Sequence, residues 1–313
     1  MLHIQSATMP IHTVDNHGQN ISLEPASLSL SSSSSTTSPP SFSSVIDTQF
    51  QMNWFDSNMT DYTELRKWRC ENVDRGTGEF DSIKRQLLES MTKGIAVSSI
   101  RRIQHRLMFK RFLERGNEVM MKHKGNANLL NLQRLWHGTS GTPFQTILSS
   151  ESGLDALRSG GGFYGRGIYL AEHARYSNGD KNGDTGRDYF TINQETEERE
   201  LLLVLATCGN PQEYGPRFNK ELDPAKDLID TQRSTKHIEV RFDSVRGGPH
   251  CPSQSGPGPN DSMISVLYNN ASVYPAYVVS FKKMDHSSDA KPKVKTKVNT
   301  LFRWPFPPQR SRV

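Results

Sequence analysis

The apolar residues of this chain change their spacing part-way along the sequence. Before Leu130 they recur every three or four positions, which is typical of helices that bury one face. The first stripe consists of Phe80, Ile83, Leu87, Leu88 and Met91, and the second runs over residues 104–122. After Leu130 the apolar residues come in short runs separated by Gly, Asn, Asp and Pro, which is typical of strands. Helices followed by strands predict an α+β domain rather than an alternating parallel sheet.

The predicted strands cover residues 135–136, 168–170, 201–206, 264–268 and 273–281. A stretch rich in Pro, Gly and Ser, residues 247–261, interrupts them and predicts a flexible loop between the last strands. The two ends of the chain lack any core pattern. Residues 1–50 are dominated by serine, and we expect them to be disordered because they cannot bury enough apolar surface to offset the entropy of ordering.

The organisation predicted for the 313 residues is therefore one domain with tails. Residues 51–79 form an N-terminal extension whose structure the sequence leaves open, and residues 80–284 form the domain. Residues 285–313 are rich in Lys, Arg and Pro, and we expect a basic disordered tail. The net charge of +5 lies largely in this tail. A solvated tail is the simplest interpretation, and nuclear targeting or weak contact with nucleic acid are the alternatives.

The cysteines and the apolar runs indicate where the protein works. Cys70, Cys208 and Cys251 are odd in number and far apart, which fits neither a disulfide framework nor a zinc site, so we expect a reducing compartment and no metal. The N-terminus has no apolar signal core, and the longest apolar run, residues 201–206, is too short to span a bilayer. We therefore expect an intracellular protein, nuclear or cytoplasmic or both, with no membrane partner.

Two short segments have the composition of a ligand site. They are LWHGT at residues 135–139 and FYGRGIYLA at residues 163–171. Each presents glycine and a hydrogen-bonding or aromatic side chain beside a strand, and glycine allows a close backbone approach. Gly165 and Gly167 do not form a dinucleotide fingerprint, because Leu170 occupies the position of its third glycine. A nicotinamide cofactor, if bound, is not held in the Rossmann manner.

These segments resemble the catalytic domain of the poly(ADP-ribose) polymerase family, and more closely its mono-ADP-ribosyltransferase branch. The family pattern is a strand ending in His-Gly-Ser/Thr, then Tyr/Phe-Gly-Lys/Arg-Gly-x-Tyr, then Tyr-Ser, and the chain has each part. The similarity extends upstream to IRRIQ at residues 100–104, which resembles the start of a family helix, and downstream to YPAYVVSF at residues 274–281. The resemblance implies the ADP-ribosyltransferase fold, with a split β-sheet that grips NAD+ as co-substrate.

The resemblance also implies roles for individual residues. His137 would donate a hydrogen bond to the 2′-hydroxyl of the nicotinamide ribose, and the backbone of Gly138 would pair with the carboxamide. Thr139 takes the family's small hydroxyl position, although it could equally terminate the strand. The ring of Tyr169 would line the nicotinamide pocket, and Ser177 would hydrogen-bond the carboxamide.

Two parts of the family site are less regular in this chain. The second aromatic that stacks on nicotinamide is missing at its usual place, where a polar insertion stands, and the candidates are Tyr189 and Tyr176. The loop of residues 155–162 would cover the ADP half, with Arg158 a candidate for the pyrophosphate. A solvent-facing arginine is the equal alternative for Arg158.

The most informative departure lies on a late strand. The glutamate found there in polymerising members corresponds to Ile264 or, with a slip of one residue, to Met263 or Ser265. Members with an aliphatic residue at this place are mono-ADP-ribosyltransferases, and some are inactive. Without that carboxylate a hydroxyl acceptor needs outside activation, so we expect acidic side chains on a target protein, with self-modification possible. Cysteine, serine, arginine and the ends of nucleic acids remain alternative acceptors.

The sequence thus predicts, in order of preference, an NAD+-dependent mono-ADP-ribosyltransferase, a non-catalytic module that binds NAD+ or ADP-ribose, and a poly(ADP-ribose) polymerase. The catalytic set of the first hypothesis is His137, Tyr169 and Ile264.

Overall fold

The computed structural model describes residues 42–44, 65–91, 94–179, 189–250 and 261–284. The predicted tail of residues 285–313, residues 1–41 and 45–50 of the other predicted tail, and residues 51–64 of the predicted extension lie outside the described residues. The described chain combines helices with a ten-stranded sheet. The predicted α+β class with a split, mixed sheet is confirmed.

The helices have local signals that fix their ends. They are α1 (Gly78–Ser90), α2 (Arg106–Lys122), α3 (Phe144–Ser149), α4 (Ala174–Asn178) and α5 (Pro224–Asp227). The hydroxyl of Thr77 caps α1 by accepting from the Phe80 amide at 3.2 Å, which satisfies one of the helix's free N–H groups. Helix α1 buries Phe80, Ile83 and Leu87. Leu88, predicted to share that apolar face, is instead 43 % exposed.

The strands are β1 (Trp68–Asn72), β2 (Ile95–His105), β3 (Leu132–His137), β4 (Ile168–Ala171), β5 (Thr191–Ile192), β6 (Arg199–Thr207), β7 (Pro211–Gly215), β8 (Ser244–His250), β9 (Ser262–Leu267) and β10 (Val273–Lys283). Their order across the sheet is β1-β2-β10-β6-β3-β4-β9-β8-β7, and β5 pairs with β6. Neighbours are antiparallel except β7 and β8. Short 3₁₀ turns complete the described elements at Ala127–Leu130, Ala156–Arg158 and Asn270–Ser272.

The sheet is nearly divided between β3 and β4. These strands share a single register pair, Trp136 with Ala171, whereas β3 and β6 share six pairs. We call β1, β2, β10, β6, β3 and β5 the large half-sheet, and β4, β9, β8 and β7 the small half-sheet. Beyond that one pair the ends of β3 and β4 diverge, and a cavity opens between them.

Three sequence predictions need correction. The helix predicted from near residue 104 to 122 begins at Arg106, because the His105 ring accepts from the Met108 amide and caps it there, and residues 100–104 at its entry lie in β2. Two strands, β1 and β2, therefore precede the second helix. The first four residues of the loop predicted at 247–261 belong to β8, where Gly247 and His250 pair with β9, and residues 251–260 lie outside the described part of the chain.

The third correction concerns Phe42, which falls inside the stretch expected to be disordered. Its side chain is completely buried, and its ring lies 5.6 Å from that of Phe112 on α2. A Cβ at Gly116 would come within 2.0 Å of this ring, so the glycine leaves the hollow that the phenylalanine fills. The Phe42 amide also donates to the side chain of Asn117 at 3.3 Å.

Candidate active site

His137 stands at the end of β3, beside the gap between the half-sheets. Its Nδ1 lies 2.8 Å from the main-chain oxygen of Tyr169 on β4. A carbonyl oxygen can only accept, so Nδ1 carries the proton and donates it. Burial lowers the pKa of His137, and the hydrogen bond to Tyr169 offsets this only in part. The ring is therefore neutral near pH 7, and its Nε2 is a hydrogen-bond acceptor.

Gly138 lies where another part of the main chain comes too close for any side chain at this position. A Cβ at this position would lie 2.4 Å from the main-chain oxygen of Tyr189, closer than a real Cβ tolerates. The same oxygen accepts from the Ser140 amide at 2.8 Å. Thr139 continues this contact, since its hydroxyl donates to the Thr142 carbonyl at 2.6 Å and also contacts Thr191. The segment after His137 is thus fastened to the chain around Tyr189.

Tyr169 organises the turn that precedes it. Its hydroxyl accepts from the Tyr164 amide and donates to the Gly165 carbonyl, both at 2.8 Å. A Cβ at Gly162 would lie 2.6 Å from its ring, so that glycine admits the tyrosine. Burial raises the pKa of Tyr169 to about 12, and the hydroxyl stays protonated in both contacts.

The short helix α4 supplies a buried hydroxyl and one of two tyrosines. Ser177 is 4 % exposed, and its hydroxyl donates to the Trp136 carbonyl at 3.1 Å, which leaves the oxygen able to accept from a ligand. The rings of Tyr176 and Tyr189 are parallel within 8°, with their centroids 5.9 Å apart. Both candidates for the second aromatic therefore lie together at the cavity. Most of the polar insertion between them, residues 180–188, lies outside the described residues.

Ile264 closes the floor of the cavity from β9. It pairs with Ala171, is completely buried, and lines the cavity. Side chains alternate along a strand, so Met263 and Ser265 point to the opposite face. Of the three positions the sequence left open, Ile264 is the one that faces the site.

The loop of residues 155–162 covers one side of the cavity and is tied to the chain before β10. The Asp155 carboxylate accepts from the side chain of Asn270 at 3.2 Å, and Asn270 accepts from the Ala156 amide at 2.9 Å. Arg158 lines the cavity, but its side chain is 78 % exposed and 3.6 Å from Asp155. Lys220, which sequence reasoning missed, lines the same cavity and supplies a second cation.

All the residues predicted for the site line this one cavity of about 730 Å³. They are His137, Gly138, Thr139, Arg158, Tyr169, Tyr176, Ser177, Tyr189 and Ile264. The volume falls in the range of about 300–1,000 Å³ that is common for small-molecule sites. The neutral imidazole, the buried hydroxyl, the tyrosine rings and the two cations suit a ligand with a flat polar group at one end and phosphates at the other. NAD+ has this composition, so the residues present fit it.

The divided sheet and the cavity at its seam define the class of protein, a domain with the ADP-ribosyltransferase fold. Residues 77–283 match the poly(ADP-ribose) polymerase catalytic domain, and the chain belongs to that family. The resemblance seen in the sequence is thereby confirmed. The catalytic domain of this family acts on NAD+ as an ADP-ribosyltransferase.

A relative from Dictyostelium discoideum, a probable poly [ADP-ribose] polymerase, is 26 % identical over 212 residues. The alignment covers 67 % of this chain and 52 % of the relative, so the chain spans about half the length of the curated protein it matches. Within the described ranges no cluster of His, Cys, Asp or Glu has the makeup of a metal site. Among the described helices, none has the length and apolar character needed to cross a membrane.

Proposed function

We propose that this protein transfers a single ADP-ribose unit from NAD+ to an acceptor side chain and releases nicotinamide. The observation that carries this proposal is Ile264, an aliphatic side chain that is completely buried where it lines the cavity. It has no group with which to take a proton from a ribose hydroxyl, a step that chain elongation needs. The same cavity holds His137 and Tyr169, which a scaffold with no ligand would not need in this arrangement.

His137 positions the nicotinamide ribose in this proposal, with one change from the sequence-based expectation. Because its Nδ1 proton is committed to Tyr169 and the ring is neutral, Nε2 accepts from the ribose 2′-hydroxyl instead of donating to it. The hydroxyl of Ser177 accepts from the carboxamide, and the backbone of Gly138 pairs with the same group. Tyr169 shapes the pocket wall through its contacts with the 162–165 turn.

The parallel rings of Tyr176 and Tyr189 form the second wall of the nicotinamide pocket. A stacked aromatic contributes about 0.5–1.5 kcal/mol beyond its buried area. Arg158 and Lys220 bind the phosphates of NAD+. NAD+ supplies the bond that breaks, between its ribose and nicotinamide, and the enclosed site orients that bond and excludes water.

The acceptor is a protein, modified through acidic side chains, and self-modification follows when such a side chain of another copy reaches the cavity. We place this activity inside the cell, in the nucleus or the cytoplasm, on the widely spaced cysteines of the sequence. Cys70 and Cys208 are both free thiols.

The test is incubation of the purified chain with NAD+ labelled in its adenylate half, followed by sizing of the label that mild alkali releases from the protein, because alkali hydrolyses the ester between a carboxylate acceptor and the ribose. Single ADP-ribose units per site are the expected product, and His137→Ala is the matched control for enzymatic transfer. Long, heterogeneous chains would contradict the proposal and favour a polymerase. Binding of NAD+ without any transfer or cleavage would favour a non-catalytic module.

A further inference from the structure

A basic and aromatic surface adjoins the cavity. We call it the basic rim and define it as Arg166, Arg217, Phe218 and Lys220. Arg166 follows the turn of residues 162–165, and the other three lie on the loop between β7 and α5. These two loops form one unit, because the Asn219 amide donates to the Phe163 carbonyl at 2.8 Å.

The basic rim carries charge that the described part of the chain does not neutralise. Arg166 and Arg217 are exposed, and within the described ranges neither lies in an ion pair with a carboxylate. Lys220 is also exposed, and its ammonium lies 5.5 Å from the centre of the Phe218 ring. An excess of one charge beside a cleft attracts ligands of the opposite sign and raises their association rate.

Phe218 adds an apolar contact beside two of these cations, since it follows Arg217 in the chain and its ring lies near the Lys220 ammonium. Its side chain is 58 % exposed, although most large hydrophobic residues of the described chain are buried. Its ring lies 5.9 Å from that of Phe163, which itself lines the cavity. Exposed aromatic and arginine side chains in one patch are the residues that most often dominate binding energy at protein interfaces.

The loops under the basic rim are held in place before any partner arrives. The Phe163 ring packs on His250 with centroids 4.4 Å apart, and the Tyr164 hydroxyl lies 2.6 Å from Nε2 of the same histidine. The Tyr164 hydroxyl also contacts the Arg217 carbonyl at 2.9 Å. A preorganised surface loses less conformational freedom on binding, which favours affinity.

The chemistry of the cavity limits what can bind there. Because Ile264 cannot take a proton, an acceptor that is already ionised reacts more readily than a neutral hydroxyl. A carboxylate is such an acceptor: its oxygen forms a bond to the ribose carbon, the bond from that carbon to the nicotinamide nitrogen breaks, and the electron pair of that bond leaves on neutral nicotinamide. Phe163 and Lys220 line the cavity, and Phe218 packs against Phe163, so the basic rim is continuous with the wall of the cavity.

We propose that the basic rim is the docking surface for the acceptor, an acidic segment of a protein that carries an apolar side chain next to its modified carboxylate. The guanidinium groups of Arg166 and Arg217 contact the flanking acidic residues, and Phe218 contacts the apolar one. This inference rests on the proposed function for its catalytic consequence, but the binding it describes can be measured without turnover.

The probes are a fluorescent twelve-residue peptide of glutamates with one central phenylalanine, the same peptide with glutamine in place of glutamate, and a 5′-phosphorylated single-stranded oligonucleotide. The variants are Arg217→Glu and Phe218→Ala in the full chain, with Lys110→Glu as control. Lys110 is an exposed cation on α2 that does not line the cavity. Lys110→Glu therefore changes the net charge of the protein by the same amount as Arg217→Glu. Fluorescence anisotropy gives the Kd of each probe, and steady-state kinetics gives kcat and KM for transfer to peptide and for hydrolysis of NAD+ by water.

We expect the Kd and the KM for the glutamate peptide to rise about tenfold in Arg217→Glu and several-fold in Phe218→Ala. In the Lys110→Glu control, the Kd and the KM for the glutamate peptide should stay at the wild-type values. The rate of NAD+ hydrolysis and the KM for NAD+ should stay at the wild-type values in all three variants. The glutamine peptide should bind weakly to every form of the protein. Binding should also weaken with added salt, and less steeply in Arg217→Glu.

Equal binding of the glutamate peptide to wild type and Arg217→Glu would overturn the inference, as would equal binding of the two peptides. Preference for the oligonucleotide, lost in Arg217→Glu, would overturn it in favour of a nucleic-acid surface. If the wild type neither transfers nor hydrolyses NAD+ yet binds the glutamate peptide through Arg217, the proposed function fails while the docking surface stands.

Discussion

His137 shows how one backbone contact determines the chemistry of a side chain. Its Nδ1 donates to the Tyr169 carbonyl, and burial keeps the ring neutral, so only Nε2 faces a ligand as an acceptor. Protonation would convert that acceptor into a donor and place a charge in a desolvated site. The sequence motif identifies the residue, but the direction of its hydrogen bond follows only from the contact with β4.

We therefore predict a one-sided pH dependence. The pKa of His137 lies below its ordinary value, so kcat/KM for NAD+ cleavage should be constant through pH 7 and fall as pH drops through that lowered pKa, where the ring gains its proton. His137→Ala should lower the rate about 10²–10³-fold, the scale for losing one well-placed polar contact in a transition state. It should also abolish the acidic fall. An unchanged rate in this variant would remove His137 from the site.

Ser177 provides a test of how the leaving group is recognised. Its buried hydroxyl is placed to accept from a carboxamide N–H, a contact that a carboxylate cannot make. Benzamide should therefore compete with NAD+, whereas benzoate should not. In Ser177→Ala the inhibition constant for benzamide should rise about tenfold, the usual effect of one neutral hydrogen bond. Equal inhibition by benzamide and benzoate would mean that the carboxamide is not recognised.

Ile264→Glu tests whether one carboxylate changes the reaction. We expect the product to remain a single ADP-ribose, because elongation also needs a pocket for the growing chain. A glutamate at this completely buried position should destabilise β9 by several kcal/mol or stay protonated. Ile264→Gln, of nearly equal size, is the control for packing. Chain growth by Ile264→Glu but not by Ile264→Gln would show that the carboxylate alone is limiting.

At the scale of elements, the segment after β3 is fitted against a distant part of the chain. The Cβ in Gly138→Ala would meet the Tyr189 carbonyl at 2.4 Å, and backbone on both sides must move. We predict a loss of about 1–3 kcal/mol in unfolding free energy, as in other overpacked sites. The KM for NAD+ should rise as well, because Tyr189 is displaced. Gly78→Ala is the control, since a Cβ there has nothing within 4 Å, and its melting temperature should not fall.

The elements also show what sequence reasoning can and cannot reach. The continuous apolar run at 201–206 predicts a buried strand, and β6 indeed lies between β10 and β3. The two motif segments identify His137 and Tyr169, because the glycines next to these residues can be recognised in a single sequence. The choice between Tyr176 and Tyr189 had no local signal, since their parallel stack depends on the path of the insertion between them. Lys220 carried no motif and reaches the cavity only through the loop that packs on Phe163.

At the scale of the whole molecule, the two half-sheets differ in the size of the hydrophobic core that each packs against. The large half-sheet packs against α1 and α2 in one extensive core, with β6 buried along nearly its whole length. Within the described residues, the outer strands of the small half-sheet rest on a second core of eight buried residues. The site lies at the seam, so its geometry depends on both halves staying together.

We predict that this difference appears in native-state hydrogen exchange. Amides of β6 and β10 should exchange slowest, at the free energy of global unfolding, and those of β7 and β8 should exchange through a cheaper local opening. NAD+ bridges the seam in the proposed function, so its addition should slow exchange in β4 and β9 more than in β1. Uniform protection across the ten strands would mean that the sheet opens as a single unit.

The burial of Phe42 has a practical consequence for anyone who expresses this protein. The segment that matches the family begins at residue 77, and a clone trimmed to that boundary would lack the ring that fills the hollow at Gly116. Loss of a buried phenylalanine costs about 3–5 kcal/mol, much of a typical domain's stability. An expression clone that starts upstream of Phe42 keeps this buried side chain, although the family boundary gives no reason to include it.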